Sequence, residues 1–297
     1  MISRRNPRAT GVAYAAAAYL VWGTFPLYFH ALAGVPAPQI LAHRILWSAL
    51  FLVLLITAAG RWTEVMPELR APGTVPALAL SALFISANWL IYIWAVNSGH
   101  VLEASLGYFV NPLVTVLLGV VFLHDHLSGR QVLAVALAAA GVLGLVAWAH
   151  RVPWIALGLA VTFGLYGLVR KRVRVGAMGG LLCEVSVLAL PASLYLLAQS
   201  RAGLGAFGSS VRVTLLLAAS GVVTAVPLIW FALGVQRLRL STVGLLQYLN
   251  PTTQFAIAVF VFGESFTLPY ALAFGCIWAS LGLYTAEALA QNRRAES

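Results

Sequence analysis

The chain carries very little charge. Only 9% of its 297 residues are Asp, Glu, Lys or Arg, whereas soluble proteins contain about 25%. Hydrophobic residues make up 61% of the sequence, and the mean hydropathy is +0.92. This composition excludes a soluble domain and predicts an integral membrane protein whose main surroundings are the lipid bilayer.

Signals for cofactors and for catalytic chemistry are also scarce. Cys183 and Cys276 each lie in an apolar run, so we expect small buried side chains and neither a disulfide nor a metal site. The "HDHL" at residues 124–127 has no further Cys or His near it in sequence, and we expect a solvated loop. GxxxxGK[ST] and HExxH are both absent. We therefore predict no metal or cofactor, and no ATP-driven pumping by this chain alone.

Long apolar runs dominate what is present. A membrane-spanning helix takes about 20 mostly apolar residues, and ten such segments follow one another. We predict an all-α membrane protein with spans near 10–33, 38–58, 75–97, 103–123, 130–148, 153–171, 179–198, 212–235, 241–262 and 268–289. The basic start followed by an apolar run imitates a secretory signal, but we expect it to be retained as the first span.

The positive charges predict an orientation, because Lys and Arg concentrate in cytoplasmic loops. With the N-terminus inside, fourteen of the 18 basic residues fall in cytoplasmic segments, three fall in outer loops and Arg44 lies inside a span. Both termini are therefore predicted to be cytoplasmic. The net charge of +10 is spread over separate segments, whereas nucleic-acid binding needs one basic face.

The chain contains an internal repeat. A shift of 139 residues places Asn111–Pro112 on Asn250–Pro251, and a shift of 144 places Trp22 on Tyr166. We predict two five-helix repeats, residues 1–150 and 151–297. Because five is odd, the second repeat would enter the membrane from the opposite side, as in many secondary transporters.

Each repeat has an Asn-Pro pair in the middle of a span, which predicts helix breaks at Pro112 and Pro251. Interrupted helices at matching positions mark a binding site near the membrane midplane. Two polar stripes with helical spacing accompany them and predict a substrate cavity: Tyr108, Asn111 and Thr115, and Gln247, Asn250 and Gln254. The alternative is that both Asn side chains hold neighbouring helices together.

Five stretches carry a family resemblance: "AHRILWS", "NWLIYIWAVN", "LEASLGYFVNPL", "YGLVRK" and "RLRLSTVGLLQYLNPT". Together they resemble the RarD branch of the EamA family, within the drug/metabolite transporter superfamily. The resemblance implies ten helices, two EamA repeats, a bacterial inner-membrane location and transport of small molecules, often outward. Members of this branch carry a chloramphenicol label, and the resemblance leaves the substrate open.

Ionisable side chains inside spans are candidates for function. His43, Arg44, Glu103 and Glu184 qualify, and a shift of 141 residues places His43 on Glu184. We expect all four near the extracellular face, where they would couple transport to protons or form a gate, with Arg44 able to clamp a carboxylate. The alternative is that each is paired or snorkels to the membrane surface.

Aromatic and amide side chains extend the candidate binding site. Asn88 and Tyr92 lie four residues apart on one helix face, and Trp22 and Tyr166 occupy matching positions in the two halves. Aromatic walls with a few polar groups suit an apolar or amphipathic ligand. Core packing or contact with lipid is the alternative for each of them.

These features favour a secondary active transporter over an enzyme. The predicted cargo is a small organic solute such as an amino acid, a metabolite or a drug like chloramphenicol, moved outward by alternating access. A passive facilitator and an intramembrane enzyme remain alternatives. The expected partners are the small-molecule substrate, the bilayer and protons. The sequence does not indicate an oligomeric state.

Overall fold

The computed structural model describes residues 7–123, 129–149, 152–173, 175–235, 237 and 246–296. No strand occurs among them, so the all-α prediction is confirmed. The helices are α1 (Pro7–Gly23), α2 (Phe25–His30), α3 (Ala37–Ala58), α4 (Trp62–Arg70), α5 (Thr74–Asn97), α6 (Val101–Leu123), α7 (Gly129–Ala149), α8 (Trp154–Arg172), α9 (Ala177–Arg201), α10 (Val211–Val235), α11 (Leu249–Ala256), a π-helical turn (Ile257–Val261) and α12 (Leu268–Glu296).

Within these residues, five helices are long and apolar enough to cross a membrane. They are Ala9–His30, Ala37–Ala58, Thr74–Asn97, Met178–Arg201 and Val211–Phe231. Shorter apolar helices occupy Val132–Trp148, Trp154–Arg170, Leu249–Val261 and Leu268–Leu283. Length and composition therefore agree with an all-helical membrane protein.

Two local features were not predicted. The first predicted span is divided at Thr24, where α1 ends and α2 begins with Pro26 in its first turn, a position that tolerates the missing N–H of proline. The short helix α4 lies in a stretch predicted to be a loop. Val65 of α4 is buried and belongs to the hydrophobic cluster that includes Leu181 and Val185 of α9.

The helices pack in a regular set of pairs. The first two pairs are α6 with α8 and α11 with α1. The next two are α3 with α10 and α5 with α9, and the last two are α1 with α10 and α8 with α5. Three further contacts, α3 with α9, α6 with α11 and α7 with α12, each join one helix from either half of the chain.

The ends of the bundle are identified by short contacts. Glu103 at the start of α6 accepts a hydrogen bond from the backbone N–H of Ile155 at the start of α8 (3.1 Å). Gln39 at the start of α3 accepts one from the N–H of Ala206, just before α10 (2.8 Å). We call this the upper end, where α3, α6, α8 and α10 begin. The lower end is where α5 and α9 begin and α8 ends.

Glycine permits the closest helix crossings. A Cβ atom on Gly107 would lie 2.8 Å from the carbonyl oxygen of Ala156, so α6 and α8 approach backbone to backbone. A Cβ atom on Gly221 of α10 would collide with the carbonyl of Trp47 in α3. Small residues at helix crossings are typical of membrane proteins, in which van der Waals packing drives association.

Candidate functional site

Arg44 is a buried cation in the upper half of the bundle. It lies in the second turn of α3 with only 5% of its surface exposed. Its Nε donates a hydrogen bond to Thr224 Oγ1 of α10 (2.8 Å). The guanidinium carbon lies 4.1 Å from the ring centroid of Trp89 and 5.7 Å from those of Phe25 and Phe29. Such cation–π contacts partly replace the water that the charge has lost.

Tyrosines lie next to the aromatic rings that cover this guanidinium: Tyr28 and Tyr92 both pack against Phe29, with centroids 5.1 and 5.9 Å apart. The rings of Tyr92 and Tyr108 meet edge to face, with centroids 5.6 Å apart. The Tyr28 hydroxyl donates to the carbonyl of Leu216 (2.5 Å). The Tyr92 hydroxyl is buried and has no hydrogen-bond partner among the described residues.

The two helices that carry the Asn-Pro segments, α6 and α11, are neighbours. The Ser105 hydroxyl of α6 donates to the carbonyl of Pro251 in α11 (2.9 Å). Gln254 is buried, its Nε2 donates to Asn250 Oδ1 (2.7 Å), and its Oε1 has no partner within the described part of the chain. Asn111 is also buried. Gln247 is half-buried, and the side chains of Thr115 and Pro112 lie outside the described residues.

The predicted helix break at Pro112 is wrong. α6 runs from Val101 to Leu123 without interruption, because a helix held by its neighbours can lose one backbone hydrogen bond at proline and continue. The second half differs. Gln247 and Tyr248 form a turn, α11 begins at Leu249, and Pro251 lies in its first turn, where no N–H is needed.

Two predicted site residues are engaged elsewhere. Asn88 of α5 donates to the carbonyl of Leu159 (2.9 Å) and to Thr162 Oγ1 (3.0 Å), both in α8. Its amide therefore holds two helices together. Trp22 packs against Tyr19 and Phe231, with centroids 5.5 and 5.6 Å away.

A second polar cluster lies near the lower end. Glu184 of α9 is 1% exposed, and its Oε1 accepts a hydrogen bond from Ser81 Oγ of α5 (2.6 Å). The same oxygen lies 3.7 Å from Arg170 Nε at the end of α8. Tyr166 lies close enough to both charges to interact with them electrostatically.

The expectation that Glu184 shares a membrane face with Glu103 is therefore wrong. Glu103 contacts Ile155 and Glu184 contacts Arg170, and these partners are about 22 Å apart along α8 at 1.5 Å per residue. The reason is chain order: α9 begins where α8 ends, so the start of α9 lies at the opposite end of the bundle from the start of α6 and α8.

The remaining candidates lie at the upper end. Glu103 is buried and caps α8 through Ile155, where a carboxylate is also favoured by the helix dipole. His43 is 8% exposed and stacks on Phe207, with centroids 5.1 Å apart. Glu264, which no sequence argument selected, caps α6 by accepting from the N–H groups of Val101 and Leu102.

Four partners were missed by sequence reasoning: Tyr28, Ser81, Arg170 and Thr224. Arg170 was included in the basic run "RKRVR", which predicts orientation only. Ser81 and Thr224 are single hydroxyls within apolar helices, and such polar groups in a span are a usable signal because they seek partners on neighbouring helices.

A cavity of about 480 Å³ lies at the lower end of the bundle. It lies between the start of α5 and the end of α8, and small or apolar residues make up most of its lining, with Arg172 at its edge. None of the predicted site residues lines it. It does not correspond to the predicted midplane cavity.

The helices of this protein are mostly apolar, but buried polar groups lie between them. Membrane proteins with buried polar groups of this kind use them along solute or ion pathways. The model of the EamA-like transporter family matches residues 9–147. The chain belongs to this family and, within it, to the RarD-type proteins. This confirms the resemblance drawn from the five sequence stretches.

Three relatives support that assignment. The chain is 44% identical over 285 residues to "Protein RarD" of Salmonella typhi, covering 96% of this chain and 97% of that protein. It is 43% identical over 290 residues to "Uncharacterized transporter YojE" of Bacillus subtilis, covering 97% of both. It is 33% identical over 282 residues to "Chloramphenicol-sensitive protein RarD" of Pseudomonas aeruginosa, covering 91% and 92%.

A solved crystal structure has a fold similar to that of this chain. The TM-score is 0.62 over 95% of this chain and 99% of that chain. The sequence identity is 20%, so the likeness concerns the fold alone.

Proposed function

We propose that the chain is a secondary active transporter that exports a small organic solute across the bacterial inner membrane by alternating access. Ten spanning helices would form two inverted repeats, residues 1–150 and 151–297, with both termini in the cytoplasm. The two halves would rock about a shared site and expose it to each side in turn.

The observation that carries this proposal is that two matching helix pairs each contain a buried contact between a charged side chain and a hydroxyl, one near the upper end and one near the lower end. Arg44 of α3 binds Thr224 of α10, and Glu184 of α9 binds Ser81 of α5. In the predicted repeat, α9 is the counterpart of α3, and α5 is the counterpart of α10. Each of these two matching helix pairs, α3 with α10 and α9 with α5, therefore carries a buried charge and a hydroxyl, which is the pattern expected when two inverted copies pack against each other.

The packing of the other helices supports the same arrangement. The contact of α6 with α8 has its counterpart in that of α11 with α1, and α1 with α10 has its counterpart in α8 with α5. The aromatic pair Tyr19–Trp22 in α1 likewise matches Phe163–Tyr166 in α8 under the shift of 144 residues.

For the substrate site, we propose the junction of α6 and α11. Tyr108, Asn111, Asn250 and Gln254 lie on these two helices, and the Ser105–Pro251 hydrogen bond joins them. Gln254 Oε1 is buried without a partner in the described chain, so it has an acceptor to offer. A solute donor there would satisfy a group that otherwise costs free energy.

For coupling, we propose Glu184 as the proton-binding group. It is buried, one of its oxygens has no partner among the described residues, and a cation faces the other. Glu103 fits this role less well because its carboxylate caps α8. His43 is the candidate at the upper end.

Solute movement into proteoliposomes, with and without an imposed pH gradient, tests the function. The panel would contain amino acids, chloramphenicol and small cationic dyes. Accumulation against a gradient only in the presence of ΔpH would establish proton-coupled transport, whereas equilibration without ΔpH would make the protein a facilitator. If nothing moves, the transporter proposal fails and the intramembrane enzyme becomes the stronger candidate.

The topology is tested separately. A C-terminal fluorescent protein should fluoresce, and alkaline phosphatase inserted near residue 208 should be active, because these reporters work in the cytoplasm and the periplasm respectively. The reverse result would refute the proposed orientation.

A further inference from the structure

The guanidinium of Arg44 has no acidic partner among the described residues. The described carboxylates within the helix bundle are used elsewhere: Glu103 caps α8 and Glu184 faces Arg170. The described groups that contact the guanidinium are the Thr224 hydroxyl and the rings of Trp89, Phe25 and Phe29. An isolated buried charge is costly, and inside a membrane it marks a functional site by default.

The internal contacts of Arg44 leave much of its binding capacity unused. An arginine side chain has five N–H donors. Only Nε has a hydrogen-bond partner within the described chain, Thr224. The Trp89 ring covers the guanidinium at 4.1 Å, but a cation–π contact uses the face of the ion and leaves its terminal N–H groups able to bind an acceptor.

A second, independent group points to a ligand at the same place. The Tyr92 hydroxyl is buried, with 3% of the residue exposed, and has no partner among the described residues. Its ring packs against Phe29, with centroids 5.9 Å apart, and the Phe29 ring lies 5.7 Å from the guanidinium carbon of Arg44. A buried hydroxyl without a partner lowers the stability of the folded protein. The Tyr92 hydroxyl is a buried donor close to Arg44, a cation with no acidic partner among the described residues. This combination is expected where an anion binds.

We propose that Arg44 and Tyr92 bind the carboxylate of the transported solute, which is therefore an organic monocarboxylate with an apolar or aromatic body. This rests on the proposed transport function and names its substrate class. The guanidinium fork matches the planar carboxylate, and one positive charge balances a monoanion. The rings of Trp89, Phe25 and Phe29 around the cation supply apolar walls for the rest of the molecule.

Binding is tested without transport, on the full chain in lipid nanodiscs, by thermal stabilisation. The probes are phenylpropionate and hexanoate, each beside its uncharged amide, with phenyl phosphate for the phosphoryl alternative. At least one carboxylate should bind about tenfold or more tightly than its amide, as expected for a charge-assisted contact. Equal binding of acids and amides, no stabilisation by either acid, or preference for the phosphate would overturn the proposal.

Two variants assign the effect to the site. Arg44→Met should abolish the difference between acid and amide while leaving the ligand-free protein as stable as the parent or more stable, because it removes an unpaired buried charge. Tyr92→Phe should weaken carboxylate binding about tenfold without destabilising the ligand-free protein. Retention of the acid preference in both variants would refute the assignment.

Tyr28→Phe is the matched control, because its hydroxyl is already bonded to Leu216. It should lower stability and leave the acid preference unchanged. If Arg44→Met does not fold, Tyr92→Phe still decides. If the carboxylate binds through Arg44 but no solute moves in proteoliposomes, the transport proposal is refuted and the carboxylate site stands. If solutes are transported whether or not they carry a carboxylate, and Arg44→Met does not change this, the carboxylate site is refuted and the transport proposal stands.

Discussion

The contact between Glu184 and Arg170 gives the most quantitative prediction. Their closest atoms are 3.7 Å apart, and the side chains are 1% and 18% exposed. Coulomb's law with an effective dielectric of about 20 gives a gross attraction of about 4 kcal/mol. The cost of removing both groups from water offsets much of this, so a net coupling of about 1–3 kcal/mol is expected.

Glu184→Gln and Arg170→Gln should therefore each lower the stability of the protein, because each leaves the other group without its partner. The double variant should lose less than the sum of the two, by about 1–3 kcal/mol. Ser81→Ala is the control for the hydrogen bond alone, and should cost about 1 kcal/mol. Thermal unfolding in detergent, followed by tryptophan fluorescence, measures all four variants.

The same variants test the coupling role. In proteoliposomes, Glu184→Gln should remove the ΔpH-driven accumulation while solute still equilibrates, because the amide keeps an acceptor for Ser81 but cannot carry the proton. Glu103→Gln is the matched control and should keep ΔpH dependence. Additive losses in the double variant would show that the charges do not interact, and unchanged ΔpH dependence in Glu184→Gln would exclude it as the coupling group.

Three further predictions concern packing, the substrate site and pH. Gly107→Ala should cost about 1–3 kcal/mol through overpacking at the α6–α8 crossing, whereas Gly144→Ala, with open space around it, should be neutral or stabilising in the same unfolding assay. Gln254→Leu should reduce solute uptake severalfold because it removes the buried amide, while the exposed Thr252→Leu should not. Burial raises the pKa of Glu264 above its ordinary value of 4.5, although its backbone hydrogen bonds act in the opposite direction. At pH values below 4.5, protonation of Glu264 therefore stabilises the folded protein. This contribution is lost as the pH rises through the raised pKa. Glu264→Gln should flatten that part of the stability–pH curve.

The sequence was most informative about local properties. Hydropathy located the helices, since each predicted span overlaps helical residues wherever the structure describes it. Five stretches with a family resemblance identified the family, which the relatives confirm. The division at Thr24 and the helix α4 were missed, because a short break and a short amphipathic turn alter average hydropathy very little.

The candidate site was predictable only in part. The stripe of Tyr108 and Asn111 could be drawn from spacing, but Asn88 fits the same kind of pattern and is used to hold α5 against α8. The uninterrupted helix at Pro112 shows the same limit: the cost of proline depends on which neighbours support the helix, and a single segment does not contain that information.

By itself, the sequence determined that this is a helical membrane protein, because the thickness of the bilayer imposes apolar runs that are local along the chain. The resemblance of five sequence stretches indicated the transporter family. Tertiary structure alone decided which buried polar groups meet. Thr224 lies 180 residues from Arg44, and Glu184 lies 103 residues from Ser81. Such pairings depend on how helices from different parts of the chain cross. That Arg44 has no acidic partner among the described residues could therefore be recognised only from the tertiary structure.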